Sequence, residues 1–560
     1  MGHENIFKKV MAGAIFICIA SILSTGCTDS TQTEREAENV NNTGSFHLVG
    51  TGPGDADLLT ARALEVIRNA DVVFCDPDEK SRLSADVDFS NKEVVSGYGK
   101  LSVFYGKPCN SLPAEEQADC EKYHKKQDEL ALLLRKSVKN GKRVVMLSSG
   151  DPTIYGQDVR IMQKLYDLNP VIVPGLSHFN AANAILKVNL GEIIITAPFK
   201  DTTGHTDTIE SLTGHEESTI TVFKPGDLKT LFTRLSGVIN PETPAAVVCC
   251  AGLSDRQKTV LATVGEFTKN IPEDIDPEQS IVYIGKDLAN SRFNPDKASS
   301  DKKGKFYLVG IGPGDPDLAT LRALKVIEDS DLIFANKKIS DKFEKYLAGK
   351  EVLNGYYRLF PFYRQECSRL TQAQKDRERM SCEEYHKKQE EFAAIVREAV
   401  AAGKTVAMLD NGDPLVYGPC SWTLTELDDL ETEVVPGVSC FNAANAALGV
   451  GVTDGEKTHS VILASGWSVE EMAVHNCAMV LFTMRTEFKK FIDSLSKHYP
   501  ADTPVAIVFS AGYIEKENVM HSTLGSILGE LEGKDKPFEY LLYIGDFLKN
   551  SVDNLNSAHP

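Results

Sequence analysis

No Cys-x-x-Cys-His segment and no zinc-type spacing of cysteine and histidine occurs in the 560 residues. That excludes covalent c-type haem attachment and leaves no spacing of the zinc-finger kind. Positive charge is also short: 60 Lys and Arg face 79 Asp and Glu, for a net charge of −19. Such a balance argues against nucleic acid as a partner of the whole surface, although local basic clusters could still hold an acidic small molecule. The N-terminal apolar run, Ala12 to Leu23, falls short of the ~20 residues that cross a bilayer. The rest is ordinary globular composition, 42% hydrophobic and 25% charged, over a length that predicts several cores.

The first residues read as a targeting segment. Lys8 and Lys9 precede the apolar run, and Ser24-Thr25-Gly26-Cys27 follows it, the order of a secretory signal. Cys27 after Gly26 resembles a bacterial lipobox, with Leu23 one place further out than the usual aliphatic residue. An uncleaved N-terminal anchor is the alternative. Either way the chain is expected to be exported and lipid- or membrane-anchored at the bacterial cell envelope. Residues 28–45 lack apolar periodicity and predict a flexible tether. Export gives the 12 cysteines a meaning: Cys109 and Cys120 sit in one insertion, Cys367 and Cys382 in its counterpart. In an oxidising compartment these are candidates for two disulfides, each closing a short loop.

The chain repeats itself at a shift of about 260 residues. VGTGPGDADLLTARALEVI from Val49 returns as VGIGPGDPDLATLRALKVI from Val309, and SSGDPTIYG from Ser148 as DNGDPLVYG from Asp410. VPGLSHFNAANA from Val173 returns as VPGVSCFNAANA from Val435, and TPAAVVCCAG from Thr243 as TPVAIVFSAG from Thr503. A period this long is a duplicated globular unit and not a solenoid. Within each half, short β-branched runs alternate with helical patterns, which predicts α/β layering. The predicted organisation is 1–27 signal, 28–45 tether, 46–290 first unit, 291–305 linker and 306–550 second unit. The GDP segment near Gly150 is a natural place for one subdomain to give way to the next.

A strand, GTGPGD and a helix invite a dinucleotide reading. Against it, Pro53 removes a backbone N–H where a pyrophosphate needs donors, and Asp55 would repel phosphate. Asp55 is better read as a cap of the following helix. The full series, GxGPGD with L-x-T-x-x-A, GDPxxYG, VPGxS and TPxAxV, resembles the tetrapyrrole (corrin/porphyrin) methylase family, in order and in both halves. That resemblance implies two α/β subdomains per unit, with S-adenosylmethionine bound in the cleft between them and a tetrapyrrole as methyl acceptor. It implies donor contacts from Pro53, Ser149, Gly150, Asp151, Ile154, Ser177, His178 and Ala251. In the second half the matching positions are Pro313, Asn411, Gly412, Asp413, Val416, Ser439, Cys440, Met484 and Ala511. Family members dimerise, so the tandem pair implies an intramolecular pseudo-dimer. Lys224 departs from the pattern where the second half has Met484, and a lysine facing a sulfonium would repel it.

One further repeat lies outside those motifs. CEKYHKKQDE from Cys120 and CEEYHKKQEE from Cys382 match in a region where the insertions otherwise diverge. A disulfide-stapled helix start with a solvated face is one reading. The other makes Tyr123, His124, Tyr385 and His386 substrate residues, with histidine as base or haem-iron ligand and tyrosine stacking on a macrocycle. Three functions therefore stand side by side: a tandem tetrapyrrole methylase, an exported lipoprotein that binds haem or a corrinoid without methyl transfer, and an envelope scaffold. No catalytic base can be named, because methylation of an electron-rich ring carbon needs little proton chemistry.

Overall fold

The computed structural model describes residues 44–99, 101–198, 205–214, 218–293, 304–466, 468–482, 488–534 and 540–551. Cys27, Met484, the signal segment, nearly all of the tether and most of the linker lie outside the described residues. Among the described residues no helix is long and apolar enough to cross a membrane.

Each half opens with a five-stranded parallel sheet. In the first half its order is Glu93–Val95, Val72–Phe74, Arg143–Ser148, Ser45–Gly50 and Val171–Val173. In the second it is Glu351–Leu353, Leu332–Phe334, Thr405–Asp410, Lys305–Gly310 and Thr432–Val435. Central strands such as Val144 to Leu147 are apolar and buried along their length, as a parallel sheet covered on both faces requires. Because Val171–Val173 pairs with Ser45–Gly50, the first subdomain continues past the GDP turn. The expected switch near Gly150 is therefore displaced to the VPG segment that follows Val173.

The helix expected from Asp55 onward is interrupted. A short 3-10 turn covers Ala56–Leu58, and the α-helix spans Ala61–Asn69. Thr60 starts it by accepting a hydrogen bond from the Ala63 N–H at 3.1 Å, the usual N-cap geometry. Asp55 caps nothing. Its carboxylate accepts from Arg322 of the other half at 3.0 Å and lies 3.3 Å from the Ser254 N–H. A long-range ion pair has outcompeted the local cap.

The second subdomains do not form separate sheets. Five strands from each half make one ten-stranded sheet. Outward from the seam the first half supplies Glu192–Thr196, Ser218–Phe223, Ser280–Ile284, Pro244–Cys249 and Lys258–Thr263. The second supplies Val461–Ser465, Ala478–Phe482, Tyr540–Ile544, Pro504–Phe509 and Asn518–Thr523 in the same order. The seam pairs Ile193, Ile194 and Ile195 antiparallel with Leu463, Ile462 and Val461. Ile194 and Ile462 bury into the core on one face, and Ile193, Ile195, Val461 and Leu463 into the core on the other. With each such side chain contributing about 1.5–3 kcal/mol, the halves are held together by a shared hydrophobic interior.

A second reciprocal contact closes the other end of the seam. Ala61 N–H donates to Ala319 O at 3.0 Å, and Leu321 N–H to Leu59 O at 2.9 Å. Arg62 forks onto Asp317 at 2.7 and 2.9 Å, while Arg322 forks onto Asp57 at 2.7 and 2.8 Å. Each arginine is on one half and its acid on the other.

Candidate functional site: two unequal clefts

Glycines bring the bends of each half together by letting backbone touch backbone. Gly52 and Gly150 exchange N–H···O bonds of 3.3 and 3.0 Å, and Gly312 and Gly412 do the same at 3.3 and 3.0 Å. Both Gly52 and Gly312 have positive φ, 76° and 75°, which side chains with a Cβ adopt only under strain. The Asp55 N–H donates to Gly252 O at 2.8 Å, and Asp315 to Gly512 O at 3.1 Å. These bonds tie the first glycine loop of each half to the Ala-Gly turn of its second subdomain. A cleft between subdomains follows in each half.

The second cleft is a cavity of ≈ 400 Å³. Pro313, Asn411, Gly412, Asp413, Val416, Cys440 and Ala511 line it. Ser439 lies just behind, accepting from the Asn442 N–H at 3.3 Å to cap the helix Cys440–Leu448. Basic and aromatic side chains complete the wall: Lys338, Lys342, Arg358, Tyr357 and Tyr513. Lys342 donates to Gly314 O at 2.6 Å and lies 5.0 Å from the Tyr513 ring centroid, a cation–π distance.

The first cleft is larger, ≈ 640 Å³, and its wall carries the opposite charge. Asp76, Asp78 and Glu79 stand where the second half has Asn336, Lys338 and Ile339. Ser149, Asp151, Ile154, Ser177 and His178 line it, with Gly150 behind the His178 ring. Pro53 and Ala251 are not among its lining residues, although their counterparts line the second cleft. Arg82 lies across this glycine loop, donating to Gly54 O at 2.7 Å and Thr51 O at 3.1 Å while pairing with Glu79. Lys224 also borders the first cleft; Met484, its counterpart, lies outside the described residues.

Room beside the GDP turn separates the two clefts most clearly. A Cβ on Gly150 would lie 2.6 Å from His178 Nδ1, whereas a Cβ on Gly412 would find Cys440 N, its nearest neighbour, at 3.8 Å. The second cleft thus has an open cradle against the turn, and the first has an imidazole there. Burial lowers the His178 pKa to about 4, helped by nearby Lys224, so that ring is neutral at physiological pH.

The buried carboxylates hold the bends. Asp151 accepts from Thr153 N and Oγ1 at 2.7 and 2.6 Å, and from Asn442 Nδ2 of the other half at 2.6 Å. Asp413 accepts from the N–H groups of Leu415 at 2.8 Å and Gly437 at 3.4 Å. Asn180 faces Asp413 from the first half without its amide nitrogen closing to hydrogen-bond distance. Burial pushes Asp151 up to about 6 and Asp413 up to about 7, against the hydrogen bonds that favour ionisation. These oxygens position the bends, and Asp151 and Asp413 also line their clefts.

A second pair of buried carboxylates stands beside the GDP turns. In the second half Asp410 accepts from Tyr357 Oη at 2.9 Å and Cys420 N at 3.0 Å. The first cleft has Gly99 and Ser148 at the Tyr357 and Asp410 positions, and Asp158 at that of Cys420. Asp158 then hydrogen-bonds Ser148. One buried acid has moved between elements while the pairing survived. An intramolecular alignment of the halves carries that signal, but only a known fold says that 148 and 158 touch.

Tyr155 and Tyr417 reach across the seam. Tyr155 Oη donates to His459 O at 2.7 Å, and Tyr417 Oη to Leu463 O at 3.0 Å with Glu192 Oε2 also at 3.0 Å. Each cleft therefore borrows support from the other half.

The repeated histidine segments sit elsewhere. Cys109 is bonded to Cys120 and Cys367 to Cys382, at the starts of the helices Ala114–Lys139 and Cys382–Ala401. His124 and His386 pack on those sulfurs and Tyr123 and Tyr385 on Phe104 and Phe362. None of these four residues lines either cleft.

Comparison with known proteins agrees with the double architecture. The family described as tetrapyrrole (corrin/porphyrin) methylases matches twice, over residues 45–268 and 305–528. A cobalt-precorrin-4 C(11)-methyltransferase of Methanocaldococcus jannaschii is 27% identical over 262 residues, which is 44% of this chain and 90% of that protein. A uroporphyrinogen-III C-methyltransferase of the same organism is 28% identical over 263 residues, covering 45% and 99%. Among solved structures, a cobalt precorrin-4 methyltransferase superposes with a TM-score of 0.35 at 25% identity, over 44% of this chain and 95% of that one.

Proposed function

The chain belongs to the tetrapyrrole (corrin/porphyrin) methylase family in both of its halves, and from that premise we propose that it is an S-adenosylmethionine-dependent methyltransferase of a tetrapyrrole, working through its second cleft. The observation that carries the assignment to one cleft is the open cradle beside Gly412, set against the His178 ring that packs on Gly150. Pro313, the Asn411-Gly412-Asp413 turn, Val416, Ser439, Cys440 and Ala511 would hold the donor, which when bound supplies an electrophilic methyl group. The backbone does most of this work, since methyl transfer between bound partners depends chiefly on orientation. Met484 is assigned to the donor by its place in the motif series alone.

The acceptor follows from charge. Relatives named for precorrin-4 and uroporphyrinogen III point to a tetrapyrrole macrocycle bearing carboxylates. Lys338, Lys342 and Arg358, with Tyr357 and Tyr513, offer such a ring cations and aromatic faces. Asp76, Asp78 and Glu79 in the first cleft would repel it. The first cleft is then a supporting unit, and the tandem halves take the place of a dimer within one chain.

The boundaries 46–290 and 306–550 are proposed for the two units, preceded by a signal segment, lipidation at Cys27 and a tether, which would fix the protein at the cell envelope. The test is direct. The full chain is incubated with methyl-labelled S-adenosylmethionine and uroporphyrinogen III or precorrin-4, and the extracted ring is counted. Label in the ring, abolished in Gly412→Val and retained in Gly150→Val with both variants shown folded by circular dichroism, supports the reading. Absence of label with both rings sinks the enzymatic reading, and equal loss in both variants sinks the assignment to one cleft.

A further inference from the structure

Two clusters outside the lining of both clefts have the same composition and geometry. Cys109, Cys120 and His124 form one, and Cys367, Cys382 and His386 the other, with the ligand-capable atoms of each trio within 4.8 Å of one another. His124 Nδ1 is 3.6 Å from Cys109 Sγ and its Nε2 is 3.8 Å from Cys120 Sγ. In the second trio the corresponding distances are 3.7 and 3.9 Å.

The tautomer of each histidine is set by its surroundings. His124 Nε2 is 3.0 Å from the Phe104 carbonyl oxygen, and His386 Nε2 is 2.9 Å from that of Phe362. A carbonyl only accepts, so Nε2 carries the proton and donates, leaving the Nδ1 lone pair toward Cys109 Sγ in one trio and Cys367 Sγ in the other. Both phenylalanines hold positive φ, 62° and 59°, so the chain adopts a disfavoured backbone twice to present that oxygen. A ring nitrogen fixed by a carbonyl, with its partner nitrogen left free toward cysteine sulfur, is the outer-shell arrangement that a metal-bound histidine would need once the disulfide is reduced. A disulfide by itself needs no imidazole. Yet the histidine recurs in both insertions, although the cysteines are separated by 11 residues in one and 15 in the other.

We propose that each trio is a redox-gated site for a thiophilic divalent cation of the zinc type, closed as a disulfide and opened by reduction. A dithiol supplies two electrons and two protons and leaves as its own disulfide, while the S–S bond breaks and each sulfur becomes a thiol; a phosphine does the same with one water and leaves as its oxide. The cation then binds two thiolates and the imidazole Nδ1, releasing those two protons. Cys120 and Cys382 are buried, while the two histidines and Cys109 and Cys367 are half-exposed. The reductant and the cation therefore have a route in.

The experiment uses the full chain. It is reduced with a phosphine, freed of reductant without oxygen and titrated with Co²⁺, and the sulfur-to-cobalt charge-transfer band is followed. Two Co²⁺ per chain are expected in the reduced protein and none in the oxidised one. His124→Ala/His386→Ala should weaken binding at least tenfold. Because those variants could misfold, the parent is also alkylated with and without Zn²⁺ and mapped by mass spectrometry. Protection of Cys109, Cys120, Cys367 and Cys382 supports the proposal. Protection confined to the adjacent pair Cys249-Cys250, no band in the reduced parent, or undiminished binding in a folded double-histidine variant overturns it.

Discussion

Asp410→Asn should reverse its effect on stability as pH rises. Asp410 is fully buried behind Tyr357, which lines the second cleft, and that burial pushes its carboxyl up to about 7, although Tyr357 and Cys420 both donate to it. An unfolded aspartate titrates near ~3.9. The folded value is the higher, so the folded state binds the proton more tightly. Its stabilising contribution is complete below ~3.9 and is lost as pH rises through about 7. Between about pH 5 and about pH 8 the loss amounts to about 3 kcal/mol. An asparagine keeps one acceptor but turns an NH₂ group toward the other donor, which costs about 1–2 kcal/mol at the acid end. It has no proton to lose. The variant should therefore be less stable than the parent near pH 5 and equal or more stable near pH 8. Relief of the charge repulsion that Asp410 exerts on Asp413 acts in the same direction. Urea unfolding at stepped pH, read as variant minus parent, measures the crossing. A difference that stays constant across that range would refute the buried, proton-holding role of Asp410.

Asn442→Ala should remove the 2.6 Å bond to Asp151 and cost about 1–3 kcal/mol; urea unfolding reads the loss, and a variant within error of the parent would contradict the bond. Lys342→Glu should weaken binding of an anionic porphyrin to the second cleft about tenfold or more, roughly 1.4 kcal/mol. Fluorescence titration checks it, with Asp78→Lys in the first cleft as a comparison that leaves second-cleft binding unaltered. Gly312→Ala should destabilise the protein by more than about 1 kcal/mol, because φ is +75° and the new Cβ would sit 2.7 Å from Leu318 O; a shift in urea midpoint shows it.

Much of the fold was legible because its bends are written in glycine and proline. The GxGPGD, GDP and VPG segments each mark a place where backbone meets backbone, and the contacts of Gly52 with Gly150 and Gly312 with Gly412 are what those glycines serve. The unequal clefts were half legible. Lys224 opposite Met484 was a warning, but Asp76, Asp78 and Glu79 against Asn336, Lys338 and Ile339 became meaningful only once the strand ends were seen to face the cavity. The seam was not legible at all. Nothing in the run EIIIT says that its edge will pair with VILAS from the other half, since an edge strand and a central strand share one alternation. Asp55 was misassigned for a related reason: its capping potential is local, and Arg322, which takes it, is far away in sequence.

Calorimetric titration of the full chain with S-adenosylhomocysteine is the most direct test of the central claim. One molecule should bind per chain, and the heat should vanish in Gly412→Val while persisting in Gly150→Val. No binding, or two equivalent sites that the variants remove one each, would contradict the account.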